Sequence, residues 1–235
     1  MYQGKYRKAL TFSFDDGVVF DRRLANLFNK YGMKCTFNLN SGKLSHADSW
    51  VWGETIIYHL NRTEIEEVYR GHEIASHTVT HPFLERLDYD SQMNEIQTDI
   101  ENLEHYFKTK IHGVALPYGT SDENTYRVLK ACNVKWNRLA GTSMSFDIPS
   151  DLLHYNGTCH FRNPKILELV KQFLEMKPEE DKVFYIWGHS YELEVYHCWD
   201  EFEKLLKLLA NHDDIYYCTN SEAFHVEELN ENCFH

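Results

Sequence analysis

The chain has 235 residues, 43% of them apolar, which suits one domain with a sizeable core. Its net charge of −12 argues against a basic face that would hold nucleic acid or an anionic membrane. No run approaches the ~18 apolar residues that a membrane-spanning helix needs, and Met1 is followed by the polar stretch YQGKYRK rather than an apolar leader. The expectation is a single domain over 1–235 in the cytoplasm, with its six cysteines (35, 132, 159, 198, 218 and 233) as reduced thiols, since none forms a C-x-x-C pair.

The first predicted element is a strand over Ala9 to Phe14 that runs into Asp15-Asp16-Gly17. A helix follows, with Leu24, Leu27, Phe28 and Tyr31 on one face and Gly32 placed to stop it. KCTFNL, from Lys34 to Leu39, reads as the second strand. Residues 41–62 carry no regular pattern and read as a long loop. Thr63 and Glu66 have capping-box spacing for a short helix ending at Gly71. HEIAS is the third strand.

The clearest helix is SQMNEIQTDIENLEHYF, where Met93, Ile96, Ile100, Leu103 and Phe107 form one stripe. IHGVAL is the fourth strand, SDENTYRVLKAC a helix with Ser121 as its cap, and VKWNRLA the fifth strand. Residues 141–163 read as a second long loop, and Pro164 as the first residue of the helix PKILELVKQFLEM. KVFYIW is the sixth strand, DEFEKLLKLLANH a helix and DIYYC the seventh strand; the tail NENCFH reads as a frayed end. Strands alternating with helices imply an α/β fold with parallel strands, either an open doubly wound sheet or a closed barrel.

Functional groups gather at the C-terminal ends of parallel strands. Four of the seven predicted strands end in chemistry: Asp15-Asp16, then SHTVTHP with His77 and His81, then LPYG with Pro117 and Tyr118, then WGHS with His189. Two imidazoles four residues apart, joined by a carboxylate, can hold one ion and leave positions open for water. Adjacent carboxylates repel unless a cation lies between them. One aspartate is therefore expected to ligate a metal, and the other to accept a proton from water that the metal acidifies. His46, His59, His72, His105 and His212 carry no such pattern and read as surface or structural residues.

TFSFDDG, SHTVTH, LPYG and VFYIWGHS resemble, in order and spacing, the motifs of polysaccharide deacetylases of the NodB-homology class, carbohydrate esterase family 4, over residues 9 to 190. The resemblance implies a distorted (β/α) barrel, TIM-barrel-like, usually of seven parallel strands. It also implies a metal-dependent hydrolase. On it, Asp15 is the general base and Asp16, His77 and His81 hold a divalent ion, most simply Zn²⁺, with Co²⁺ or Ni²⁺ also suited. Tyr118, with Pro117 before it, lies in the cleft and its N–H helps hold the oxyanion. His189 is the general acid. The implied substrate is an N- or O-acetylated saccharide or, given a cytoplasmic setting, a small acylated metabolite.

The chain departs from the family pattern twice. Ala115 stands where the family has an arginine that pairs with the catalytic aspartate; Arg138, in the fifth strand, is the candidate substitute. The family's fourth motif is replaced by HYNGTCHFRNP, which makes His160, together with Tyr191 and Glu192 after the last motif, candidates for support. Two other readings remain open at this stage: hydrolysis of a different C–N bond on the same fold, and a catalytically impaired protein that only binds carbohydrate.

Overall fold

A computed structural model describes residues 1–226; the expected frayed tail and Cys233 lie outside the described residues. Eleven strands are described: β1 Lys8–Asp15, β2 Thr36–Leu39, β3 Ser49–Trp52, β4 Thr55–Tyr58, β5 Glu73–Ser76, β6 Gly113–Ala115, β7 Trp136–Leu139, β8 Tyr155–Asn156, β9 Cys159–His160, β10 Lys182–His189 and β11 Ile215–Tyr217. The α-helices are α1 Asp21–Lys30, α2 Ile65–Val68, α3 Tyr89–Phe107, α4 Glu123–Ala131, α5 Ile166–Glu175, α6 Ser190–Val195, α7 Trp199–Leu209 and α8 Asn220–Ala223.

Eight strands form a parallel ring in the order β8-β7-β6-β5-β2-β1-β10-β9. It is a distorted, nearly closed (β/α) barrel. The two end strands are consecutive in sequence, so Gly157 and Thr158 carry the chain across the seam. The strand count differs from the expected seven in an instructive way. β8 and β9 have two residues each, too few for any periodicity, and they come from the stretch read as loop. β11 forms as expected but lies beside the first half of β1, off the ring path, where β2 has diverged. β1 is buried along its whole length, as a central parallel strand should be.

Phe12 and Phe14 of β1 pack on Phe28 of α1 and Phe202 of α7, joining sheet to outer helices. α3 follows its predicted stripe, with Ile96 and Leu103 buried and Asp88 capping it through Ser91 N–H at 2.8 Å. At the N-terminal mouth, α8 acts as a polar plug: Thr11 donates to Asn220, Asn220 to the Tyr185 hydroxyl, and Trp136 to Ser221.

Three caps differ from expectation. α4 is capped by Asp122, which accepts from Thr125 N–H at 2.9 Å, while Ser121 meets the Tyr126 hydroxyl instead. A carboxylate outcompetes a hydroxyl for helical N–H donors. α5 starts at Ile166, with Pro164 outside it, because Asn163 turns back on Lys165 N–H. α2 has Glu64 at its cap with no side-chain bond to the helix, and it ends before Tyr69. Residues 41–62 are not a plain loop either: β3 and β4 form an antiparallel hairpin apart from the barrel. Among the described residues no helix is long and apolar enough to cross a membrane.

Candidate metal centre and acid–base pair

All the expected groups lie at the C-terminal mouth of the barrel. β1 ends at Asp15, and the next residue, Asp16, takes a left-handed backbone with φ 82°. The chain thereby stops alternating sides. Both carboxylates then face the cleft, in a conformation that Asp tolerates better than most residues. His77 follows β5, and left-handed turns at Thr78 and His81 bring the second imidazole back toward the first. Asn40, after β2, ties this turn down by donating its amide to the Thr78 carbonyl at 2.9 Å and to that of His77.

Asp16 Oδ1 lies 3.5 Å from His77 Nε2 and 3.6 Å from His81 Nε2. The three ligand atoms all fall within 4.8 Å of one another. His77 Nδ1 faces the Ala115 carbonyl at 2.6 Å. A carbonyl only accepts, so the ring proton sits on Nδ1 and the Nε2 lone pair points at Asp16. Burial first, then His77, pushes His81 down to about 4, which keeps it neutral and able to ligate. The donor set therefore fits a divalent ion with open positions. Behind it, buried Asp99 accepts from Ser41 N–H, the Ser76 hydroxyl and His77 N–H at 2.7, 2.6 and 3.2 Å, fixing the backbone that carries His77.

Asp15 has a different environment. Its Oδ1 accepts from Asn38 Nδ2 at 2.7 Å, and both of its carboxylate oxygens accept from the buried Arg138 Nη2. Burial alone would raise its pKa, but Arg138, then His77 and His189, override it and hold the carboxyl at about 2. Arg138 comes from β7 at the same register level as Ala115 on neighbouring β6. In register on adjacent parallel strands, two residues face the same way. Arg138, the candidate substitute, thus meets the aspartate that the resemblance pairs with an arginine at the Ala115 position.

His189 stands opposite Asp15 in the β1–β10 pairing, its Nε2 3.7 Å from Asp15 Oδ2. Its Nδ1 meets Glu192 Oε2 at 3.1 Å. Burial would lower its pKa; the Glu192 hydrogen bond, then Asp16 and Asp15, raise it to about 9. Glu192 itself stays well below its usual range despite burial, because His160 and His189 both donate to it. His160 Nδ1 accepts from Arg162 N–H at 3.1 Å, so its proton is on Nε2, which donates to Glu192 Oε2 at 2.8 Å. His160, His189 and Glu192 also lie close enough to hold an ion. A metal on His160 Nε2 would have to displace that proton, so the geometry describes a hydrogen-bonded chain.

Pro117 and Tyr118 form a tight turn after β6, with Tyr118 at φ 58°. Gly119 follows at φ +67°, and a Cβ there would lie 2.3 Å from Ala140 N, so only glycine fits. The Tyr118 ring is 51% exposed, stacks on Phe83 at 3.7 Å and meets His81 edge-on at 4.7 Å. Sequence reasoning missed the opposite wall. Trp50 and Trp52 of the hairpin line one cleft together with Asp16, Asn40, Lys43, Asp48, His59, His81, Tyr118 and Tyr191. His59, expected to be surface or structural, is buried and part of this lining. The missed signal was the aromatic density of WVWGETIIY inside the stretch read as loop.

Residues 3–136, more than half of the chain, match the sequence profile of the family described as polysaccharide deacetylase. A comparison with curated proteins gives no match. Among solved structures, the chain is similar to the Xyl-CE4 domain of a multidomain xylanase from the hindgut metagenome of Trinervitermes trinervoides (TM-score 0.63, 16% identity, 95% of this chain and 92% of that one). It is also similar to a family 4 acetyl xylan esterase from Clostridium thermocellum in complex with a cobalt ion (0.60, 16%, 94% and 92%). A third similar structure is the peptidoglycan deacetylase PdaC from Bacillus subtilis (0.58, 19%, 97% and 95%). At these identities the structural likeness speaks for the fold.

Proposed function

This chain belongs to the polysaccharide deacetylase family, and we propose that it is a metal-dependent hydrolase that removes an acetyl group from an N- or O-acetylated saccharide. The observation that carries this reading is the placement of two distinct devices at one barrel mouth. Asp16, His77 and His81 converge within 4.8 Å, and Asp15 and His189 face each other beside them at 3.7 Å.

Asp16 Oδ1, His77 Nε2 and His81 Nε2 are the atoms that would hold the ion, with zinc the first choice for an imidazole and carboxylate set and cobalt or nickel workable. When bound, such an ion acts as a Lewis acid toward the acyl carbonyl and makes water a nucleophile near neutral pH. Asp15, kept ionised by Arg138, takes the proton from the attacking water. The Tyr118 N–H, on the turn fixed by Pro117 and Gly119, donates to the developing oxyanion. His189, held protonated by Glu192, gives its proton to the departing nitrogen or oxygen. No covalent intermediate is required.

The test is acetate release from a panel of N- and O-acetylated saccharides and small acyl amides, run after chelation and again after zinc return. Release restored by zinc supports the reading. No release from any member, by protein that retains its ion, rejects it in favour of a binding role.

A further inference from the structure

The β3–β4 hairpin is fixed to the metal-bearing segment. Leu60 N–H donates to the Gly17 carbonyl and Val19 N–H to that of Tyr58, both at 2.9 Å, and Val18 bridges to His59. A ribbon so tethered one residue beyond Asp16 holds a set position over the cleft. Its Trp52 is 40% exposed. The indole leans on the Tyr191 ring at 5.5 Å, and Trp50 meets the same ring edge-on at 5.4 Å. Tyr191 in turn lies 5.1 Å from the ring of His189.

An aromatic wall thus continues from the proposed general acid out to the hairpin. The other wall, Tyr118 on Phe83, adjoins His81. The cleft between them has a volume of about 440 Å³, within the ~300–1,000 Å³ of small-molecule sites. Its polar groups beyond Asp16 and His81 include the opposed charges Lys43 and Asp48, 3.5 Å apart. That pair gives the hairpin end no strong preference for a charged ligand.

We propose that Trp52, backed by Tyr191, forms the subsite for the leaving group, and that this leaving group is a neutral pyranose lying with its C–H face on the indole. The reasoning is positional. His189 must reach the departing heteroatom, so whatever carries that atom lies against the wall that begins at His189. A pyranose offers an apolar face to the ring and hydroxyls to Lys43, Asp48 and Ser49, which line the same cleft. Trp52 is therefore a specificity residue. The inference rests on the deacetylase reading for the identity of the leaving group.

The experiment is calorimetric titration of di-N-acetylchitobiose into metal-loaded Asp15→Asn protein, in which binding is read without turnover. Trp52→Ala is expected to weaken binding about tenfold, and Trp52→Phe to restore most of it, as expected for an aromatic contact. Equal affinity in the parent and in Trp52→Ala, or no binding by the parent, overturns the subsite even where acetate is released from other substrates. Trp52-dependent binding by a chain whose wild type releases no acetate keeps Trp52 as a saccharide contact but overturns its assignment to a leaving group, together with the hydrolase reading.

Discussion

Arg138 and Asp15 form a fully buried ion pair across the barrel mouth, and Arg138 sits in register with Ala115 on the adjacent strand. Ala115 occupies the position at which the resemblance implies an arginine. The pair explains how two neighbouring carboxylates coexist in a buried cleft. Asp15 is compensated by a permanent protein cation, while Asp16 faces His77 and His81 in the candidate metal site.

Removing the cation leaves a buried carboxylate unpaired, which costs about 3–5 kcal/mol. Arg138→Ala should therefore lower the unfolding midpoint sharply and reduce kcat by at least ~100-fold through misplacement of the base. Asp15 should then titrate well above its present value of about 2, moving the acid limb of the activity profile upward. Adding Ala115→Arg to this variant should recover part of both losses, because the new guanidinium starts from the same register level. No recovery in denaturant melts or in activity would show that strand position, and not register alone, matters.

The titration of His189 has a definite sign. Its folded pKa, about 9, lies above the unfolded ~6.5. The stabilisation it provides is complete below pH ~6.5 and is lost as pH rises through about 9. Activity that needs the protonated ring should fall on the same alkaline limb. Glu192→Gln removes the main cause of the shift, so the limb should move toward ~6.5 in a pH–rate profile. An unmoved limb would assign it to another group.

Asp15 contributes in the opposite direction. Its folded value of about 2 is below the unfolded ~3.9, so its contribution is present above pH ~4 and is lost as pH falls toward 2. Acid melts of Asp15→Asn should lack this component, which comparison with wild type will show.

Chelation should lower the melting temperature, since an ion held at 100 times its Kd stabilises by ~2.7 kcal/mol. His77→Ala should abolish both the bound ion and the chelator effect, because it removes the ligand whose tautomer the Ala115 carbonyl fixes. Equilibrium dialysis with elemental analysis reads the first and calorimetric melts the second.

The α4 cap gives a control outside the cleft lining. Asp122→Ala should cost ~1 kcal/mol, whereas Ser121→Ala should stay within ~0.5 kcal/mol, both read from chemical denaturation with acetate release unchanged.

Much of this arrangement is legible in the chain itself. The parallel α/β fold follows from alternating strand and helix patterns, the choice of barrel from the resemblance, and Asp15, Asp16, His77, His81 and His189 stand out because ionisable groups recur at the ends of strands that are otherwise apolar. Arg138 is visible as a candidate, but its contact is not, since register across strands leaves no local mark. β8 and β9 are too short to show a period. The β3–β4 hairpin is hidden because its residues largely face solvent and the cleft instead of a core, so their burial alternates poorly. Glu192 reaches His189 through a helical turn that periodicity alone does not foretell.

The most direct measurement is acetate release by Asp15→Asn beside wild type, with metal content determined on the same samples. Both proteins should carry a full complement of ion, wild type should release acetate in a zinc-dependent way, and the variant should lose at least ~100-fold. Release by Asp15→Asn at the wild-type rate, with the ion still bound, would contradict the role of Asp15 as general base.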